Sequence, residues 1–289
     1  MTNHVLISTL QKSGTWYIKY ALWVYYQMLN YPEKEIDLKD SQAISNELKH
    51  NVVRNIINFG DKRLYLGHSI CPGINDLDTE MAKKWKEMTF WTEGYNWTEK
   101  DLFDGDTTNI NPIKNKHAKI VYIQRNPIDH FVSFHNHCKN HKFPDHYECG
   151  QMDLKTFVFK RSALEGYIKH TSSFKLMKDL YPDNILIINF ETLIRYPVFT
   201  LNRIFYFVGL PNFEKKFSLL NFKNLSKLSK IIAKDKLKEL EIYLGRSLAN
   251  DQKIASESHI RNMKSRYGKN LFSDEEIRLI HKAINSFYN

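Results

Sequence analysis

The sequence predicts an α/β fold, a parallel β-sheet flanked by helices, in a single domain spanning residues 1–289. Two observations carry that expectation. Short apolar runs rich in β-branched residues alternate with stretches of helical period, the pattern of strand–helix–strand units. Two of those runs also end in short polar turns holding a cation, and parallel sheets bind ligands at the carboxyl ends of their strands. With 289 residues the chain can bury a sizeable core.

The elements follow in order. Val5, Leu6 and Ile7 predict a first strand, closed by a turn with Lys12, Ser13, Gly14 and Thr15. Ile18, Leu22, Tyr25 and Leu29 then recur at helical spacing. In a strand–turn–helix the first backbone N–H groups of the helix point outward at the positive end of the helix dipole. Gly14 permits close approach, Ser13 and Thr15 offer hydroxyls and Lys12 a full charge, so the turn suits a phosphate. An ordinary turn with a surface lysine is the plain alternative. Asp40 to Asn58 reads as helix, Arg63 to Leu66 as a short strand, Glu80 to Phe90 as helix, and Thr92 to Pro112 as loop. Lys119 to Gln124 is a buried strand ending at Arg125-Asn126-Pro127, and Pro127 suits the first turn of a helix. Asp153 to Asp179 is mostly helical, Asn184 to Phe190 is another buried strand, and a helix runs from about Val198 to Val208. Near the end, Ser273 and Glu276 form a capping box ahead of the stripe Ile277, Ile280, Ile284 and Phe287.

Composition narrows the class without choosing a ligand. Hydrophobic content of 42% with 26% charged residues is ordinary for a soluble globular protein. The formal charge of +10, from 42 Lys+Arg against 32 Asp+Glu, favours an anionic partner. Much of the excess lies in residues 223–238 and 261–269. Three cysteines, Cys71, Cys138 and Cys149, with no C-x-x-C pair argue against a disulfide framework. No secretory pattern opens the chain, and Ala21 to Leu29 is too short an apolar stretch to span a bilayer. A cytoplasmic protein without a membrane anchor is expected.

Three motifs sharpen the reading. The order Lys12-Ser13-Gly14-Thr15 is not that of nucleotide triphosphatases, which place glycines before the lysine. It resembles the 5′-phosphosulfate loop of sulfotransferases, P-K-S-G-T-T-W, with Gln11, Trp16 and Tyr17 replacing the proline, second threonine and tryptophan. The stretch Val121 to Phe134, VYIQRNPIDHFVSF, resembles the family's 3′-phosphate motif, a strand ending in R-N-P-x-D with a serine eight residues after the arginine. Here those residues are Arg125 and Ser133. A planar guanidinium forks onto a phosphate while a hydroxyl adds a further donor. Eight residues of helix cover about 12 Å, so the resemblance, not the spacing, implies that the two converge. Pairing of Arg125 with Asp129 is the alternative. His259 to Ser273 resembles the family's late R-K-G-x-x-G-D-W-K-N-x-F-T motif, with Arg261, Lys269, Asn270, Phe272 and Ser273 in register. Met263, Arg266 and Gly268 replace its two glycines and tryptophan, and Arg278 replaces the last glutamate of its dimer motif. Gly166 to His170 and Ile187 to Glu191 are similar to two further family segments, and Phe190 takes the position of a tyrosine that faces adenine. The resemblance runs from Ile7 to Ser273.

This resemblance implies the P-loop-like sulfotransferase fold and transfer from 3′-phosphoadenosine-5′-phosphosulfate (PAPS), leaving 3′-phosphoadenosine-5′-phosphate (PAP). Lys12, Ser13, Gly14, Thr15, Trp16 and Tyr17 would hold the 5′ side, with Arg125, Ser133, Arg261 and Lys264 at the 3′-phosphate and Phe190 at the base. Lys12, His68 and Ser133 would be catalytic. Lys12 neutralises charge growing on the leaving phosphate, and His68 takes the acceptor's proton, its ordinary pKa lying near neutrality. A hydrogen-bonded loop histidine is the plain reading of His68. The family's lysine two residues earlier is Leu66 here. No metal is expected: His130, His135, His137, His141, His146, Cys138 and Cys149 match no compact zinc pattern. A small-molecule hydroxyl or amine is the expected acceptor, with no nucleic-acid partner. The rival readings are an ATP- and Mg²⁺-dependent small-molecule kinase and a non-catalytic basic module that binds nucleotides or nucleic acid.

Overall fold

Apolar runs with little polar alternation pack into a sheet covered on both faces, as parallel strands require. The computed structural model describes residues 3–10, 13–15, 17–18, 21–22, 56–59, 61–88, 107–140, 149–160, 163–210 and 267–288. The strands are β1 (Asn3–Thr9), β2 (Ile56–Phe59), β3 (Lys62–Gly67), β4 (Lys119–Gln124) and β5 (Ile185–Asn189), in the order β2-β3-β1-β4-β5. Ile120 to Ile123 of β4 are wholly buried. β1 pairs in parallel with β3 and β4, and β4 with β5. The chain therefore leaves β1 toward β3 on one side and later reaches β4 on the other. That makes the carboxyl end of β1 a topological switch point, where open α/β sheets bind ligands.

The expected parallel sheet is present as β3-β1-β4-β5, and two assignments at its margins need correction. The sheet is mixed: β2 runs antiparallel to β3 at one edge, with Phe59 opposite Lys62. Its residues Ile56 to Asn58 fall at the end of the expected 40–58 helix, yet Ile56-Ile57 followed by Gly60-Asp61 is a hairpin signal, β-branched residues before a two-residue turn. Phe190 is also not in a strand. The ladder stops at Gln124 opposite Asn189, and Phe190 opens a short helix. The residues before Ile56 in the expected 40–58 helix, Tyr25, Leu29, most of the 92–112 loop and the basic run 223–238 lie outside the described residues.

Helices follow the strands. Residues 15, 17, 18, 21 and 22 are helical. The others are α1 (Glu80–Glu87), α2 (Pro127–Asn140), α3 (Leu154–Phe159), α4 (Ala163–Leu180), α5 (Phe190–Arg195), α6 (Pro197–Val208) and α7 (Asp274–Ser286). Caps explain several starts. Thr79 accepts from Ala82 N at 3.1 Å before α1, and Asp153 from Lys155 N and Thr156 N at 3.0 Å before α3. Asn126 Oδ1 accepts from Ile128 N at 3.0 Å where Pro127 opens α2. Ser273 and Glu276 make the reciprocal capping box of α7. Helix α4 lies deep: Tyr122 of β4 stacks on its Phe174 with centroids 3.9 Å apart. Its Thr171, Ser172 and Ser173 are buried yet satisfied, each hydroxyl donating to a carbonyl three or four residues earlier.

Candidate active site

Register brings the site together. Ser8 of β1 faces Gly67 of β3, Thr9 faces Ile123 of β4, and Gln124 faces Asn189 of β5. The next residue along three of these strands is His68, Arg125 or Phe190, while the polar turn follows β1. All four features thus emerge at the carboxyl edge of one sheet.

At the turn after β1, Ser13 N donates to the Leu10 carbonyl at 2.9 Å and Ile18 N to that of Gly14 at 2.9 Å, closing the turn and beginning the helix. Gly14 has φ +96°, and a Cβ there would collide with the Phe190 ring. Only glycine satisfies both conditions at low cost. The Ser13 hydroxyl is fully buried and makes no hydrogen bond to a described residue. A buried hydroxyl with no partner among the described residues is costly, and at a helix start it is a donor of the kind an anion takes. Thr15 Oγ1 lies 2.5 Å from Thr9 Oγ1. Tyr17 is buried, and Lys12 and Trp16 lie outside the described residues.

Arg125 is half-buried, with its guanidinium carbon 5.2 Å from the centre of the Phe190 ring. Phe190 is therefore the common wall of the turn and the arginine. Burial lowers the Arg125 pKa from its ordinary value, opposed by the charges of Asp129 and Glu191. The main chain is also held: Tyr167 Oη donates to the Arg125 carbonyl at 2.8 Å, and Glu191 accepts from Asn126 N at 3.0 Å. Ser133 sits half-buried on α2.

Asp129 has a partner the sequence did not disclose. Its Oδ1 accepts from Gly268 N at 2.9 Å, joining the arginine motif to the late motif across 139 residues. A Cβ at Gly268 would meet the Ile128 carbonyl oxygen at 2.8 Å. Gly268 thus serves the close approach of the 3₁₀ turn Tyr267–Leu271 to α2. Arg261 and Lys264 lie outside the described residues.

His68 is half-buried after β3, and its Nδ1 lies 2.8 Å from the Thr9 carbonyl oxygen and 3.2 Å from Thr9 Oγ1. A carbonyl only accepts, so Nδ1 carries the hydrogen and the neutral ring keeps its lone pair on Nε2. That is the tautomer a base needs. Thr9 was missed by sequence reasoning because its partners lie six and 59 residues away. Leu66 is buried in β3 opposite Ile7, so it supplies packing where the resembling motif has a charge.

The histidine-rich stretch has structural partners. The His130 ring packs against Phe131, Phe134 and Tyr167, and His135 Nε2 donates to the Met152 carbonyl at 2.7 Å. Burial lowers the His135 pKa, the Met152 bond opposing it. His141 and His146 lie outside the described residues. All three cysteines are buried thiols.

A largely parallel sheet with a polar turn at its switch point, an arginine and a tautomer-fixed histidine at one carboxyl edge suits group transfer from an anionic donor. The chain belongs to the sulfotransferase domain family, whose model matches residues 2–287. It is an enzyme of the sulfotransferase type, and the kinase and binding-module readings give way. Its fold is similar to retinol dehydratase solved with androsterone and the inactive cofactor PAP (16% identity, TM-score 0.59, covering 99% of this chain and 80% of that one). Another similar structure is mouse sulfotransferase SULT7A1 complexed with PAP (16% identity, TM-score 0.53, covering 98% and 83%). No curated protein matches the chain in sequence. Among the described residues no helix is long and apolar enough to cross a membrane.

Proposed function

We propose that the chain, acting as one catalytic unit over residues 1–289, sulfates a hydroxyl or amine of a small molecule with PAPS as donor. The observation that carries this reading is the convergence of Gly14, Arg125 and Phe190 beside the orphaned Ser13 hydroxyl. Two anion sites share one aromatic wall, as a nucleotide phosphorylated at both ends requires. The solved sulfotransferase similar in fold carries PAP, which supports the same choice. When bound, the donor supplies the sulfuryl group, and positioning with charge stabilisation does most of the work in such transfers. Ser13, Gly14 and Thr15 hold the 5′ side together with Lys12, Trp16 and Tyr17. Arg125 and Ser133 hold the 3′-phosphate with Arg261 and Lys264, while Phe190 walls the base. His68 takes the acceptor's proton at Nε2 and shares the charge through Nδ1 with Thr9. Phenols, alcohols and amines are the acceptor classes.

The test is thermal unfolding with PAP, against ATP with Mg²⁺, on the wild type and Arg125→Ala. A ligand at a hundredfold excess over Kd adds about 2.7 kcal/mol, raising Tm by roughly 5 °C. PAP alone should stabilise, and Arg125→Ala should remove most of that shift. Equal stabilisation by ATP with Mg²⁺ would sink the assignment.

A further inference from the structure

Behind His68 stands a second histidine that touches no solvent. His170 of α4 is wholly buried, and its Nε2 lies 3.0 Å from the His68 carbonyl oxygen. Its Nδ1 lies 3.2 Å from the Tyr122 hydroxyl. The carbonyl can only accept, so Nε2 carries the hydrogen and Nδ1 accepts from Tyr122. Each atom of this chain has a defined role: Tyr122 Oη donates to His170 Nδ1, and His170 Nε2 donates to the His68 carbonyl. Burial pushes the His170 pKa down to about 3, so the ring stays neutral and the pattern holds at working pH. The stacking of Tyr122 on Phe174, itself 5.5 Å from the His170 ring, leaves the chain little freedom to move.

The same loop is held from two further directions. Ser173 Oγ, one turn along α4, accepts from Cys71 N at 3.0 Å. Ser8 Oγ of β1 donates to the Ser69 carbonyl at 2.8 Å. His68 therefore has its ring pinned by Thr9 and its main chain pinned by α4. We infer that His170 is a positioning residue for the transfer: it fixes the His68 peptide so that the His68 ring stays on the Thr9 carbonyl with its Nε2 toward the acceptor. This rests on the reading of His68 as the base.

The experiment pairs steady-state kinetics with ¹⁵N spectra of the histidine rings in the unliganded protein, for His170→Leu, His170→Gln, Tyr122→Phe and His68→Ala. In the wild type the His68 ring should give the Nδ1–H signature. His170→Leu should lower kcat by at least about tenfold with KM for the donor nearly unchanged, because it disturbs orientation and not donor binding. In the same variant the His68 ring should become a mixture of tautomers. Glutamine carries a donor at the reach of Nε2, so His170→Gln should recover most of kcat and the wild-type His68 signature. Tyr122→Phe keeps the stacked ring and removes only the hydroxyl; a smaller fall in kcat with partial tautomer mixing is expected, and it serves if His170→Leu does not fold. An unchanged His68 signature and kcat in the folded His170 and Tyr122 variants, with His68→Ala inactive, would overturn the positioning role alone. Retained kcat in His68→Ala would overturn the base reading instead.

Discussion

Gly14 shows how one residue serves two constraints. Its φ of +96° suits the turn, and the Phe190 ring fills the space a side chain would need. Gly14→Ala should therefore weaken PAP by at least about tenfold, or roughly 1.4 kcal/mol, by calorimetry, while the apo protein stays folded. Thr9 is the second such residue. Its carbonyl holds His68 and its hydroxyl meets Thr15. With Nδ1 of His68 already a donor, the Thr9 hydroxyl supplies its hydrogen to Thr15 whenever Thr15 turns its own toward an anion. Thr9→Val keeps the carbonyl and loses that hydroxyl. PAP affinity should fall about fivefold, the worth of one ordinary hydrogen bond, with the His68 tautomer unchanged.

Between elements, the contact of α2 with the Tyr267–Leu271 turn decides whether the late motif can reach the arginine motif. It rests on Asp129 and on the absent side chain at Gly268. Asp129→Ala leaves the buried Gly268 N–H without its acceptor, a cost of about 1–3 kcal/mol. The Gly268 amide should then exchange markedly faster with solvent than in the wild type, and PAP should bind more weakly. The α7 cap is a separate matter: Ser273→Ala should cost about 1 kcal/mol and leave nucleotide affinity alone. If Ser273→Ala weakened PAP as much as Asp129→Ala did, the specific link between the two motifs would be refuted.

Across the whole molecule, buried neutral histidines contribute a loss of stability in acid. The His170 pKa falls from 6.5 to about 3 on folding, chiefly through burial. Between those values the unfolded chain binds a proton that the fold refuses, so the His170 contribution is fully present above about pH 6.5 and is lost as pH drops toward 3. His135 shifts in the same direction. Hydrogen bonding to Thr156 lowers the exposed Asp153 carboxyl, and Lys155 lowers Glu276, so these act only in the carboxylate range. Urea midpoints should already decline between pH 7 and pH 5. His170→Gln should flatten that decline; an unaltered slope would show that His170 titrates normally in the fold.

Local chemistry determined most of this protein's outline. Strands β4 and β5, the start of α2 at Pro127 and the Ser273 cap are legible because each is settled by neighbours a few residues away: β-branched runs, a fixed proline φ, a side chain reaching its own helix. The turn and the arginine proposed to take the donor's phosphates are picked out for the same reason, since a lysine, glycine and hydroxyls cluster within one turn, and an arginine ends a strand. Tertiary structure alone decided the rest. Nothing near Thr9 announces His68, nothing near Asp129 announces Gly268, and nothing near His170 announces the carbonyl it holds. These bonds join residues 59, 139 and 102 apart; the first and third exist because parallel pairing sets β1 beside β3 while α4 packs behind them, and the second because the Tyr267–Leu271 turn docks on α2. Which side chains are present is written along the chain; which proton each histidine nitrogen holds is decided only by what the fold places opposite it.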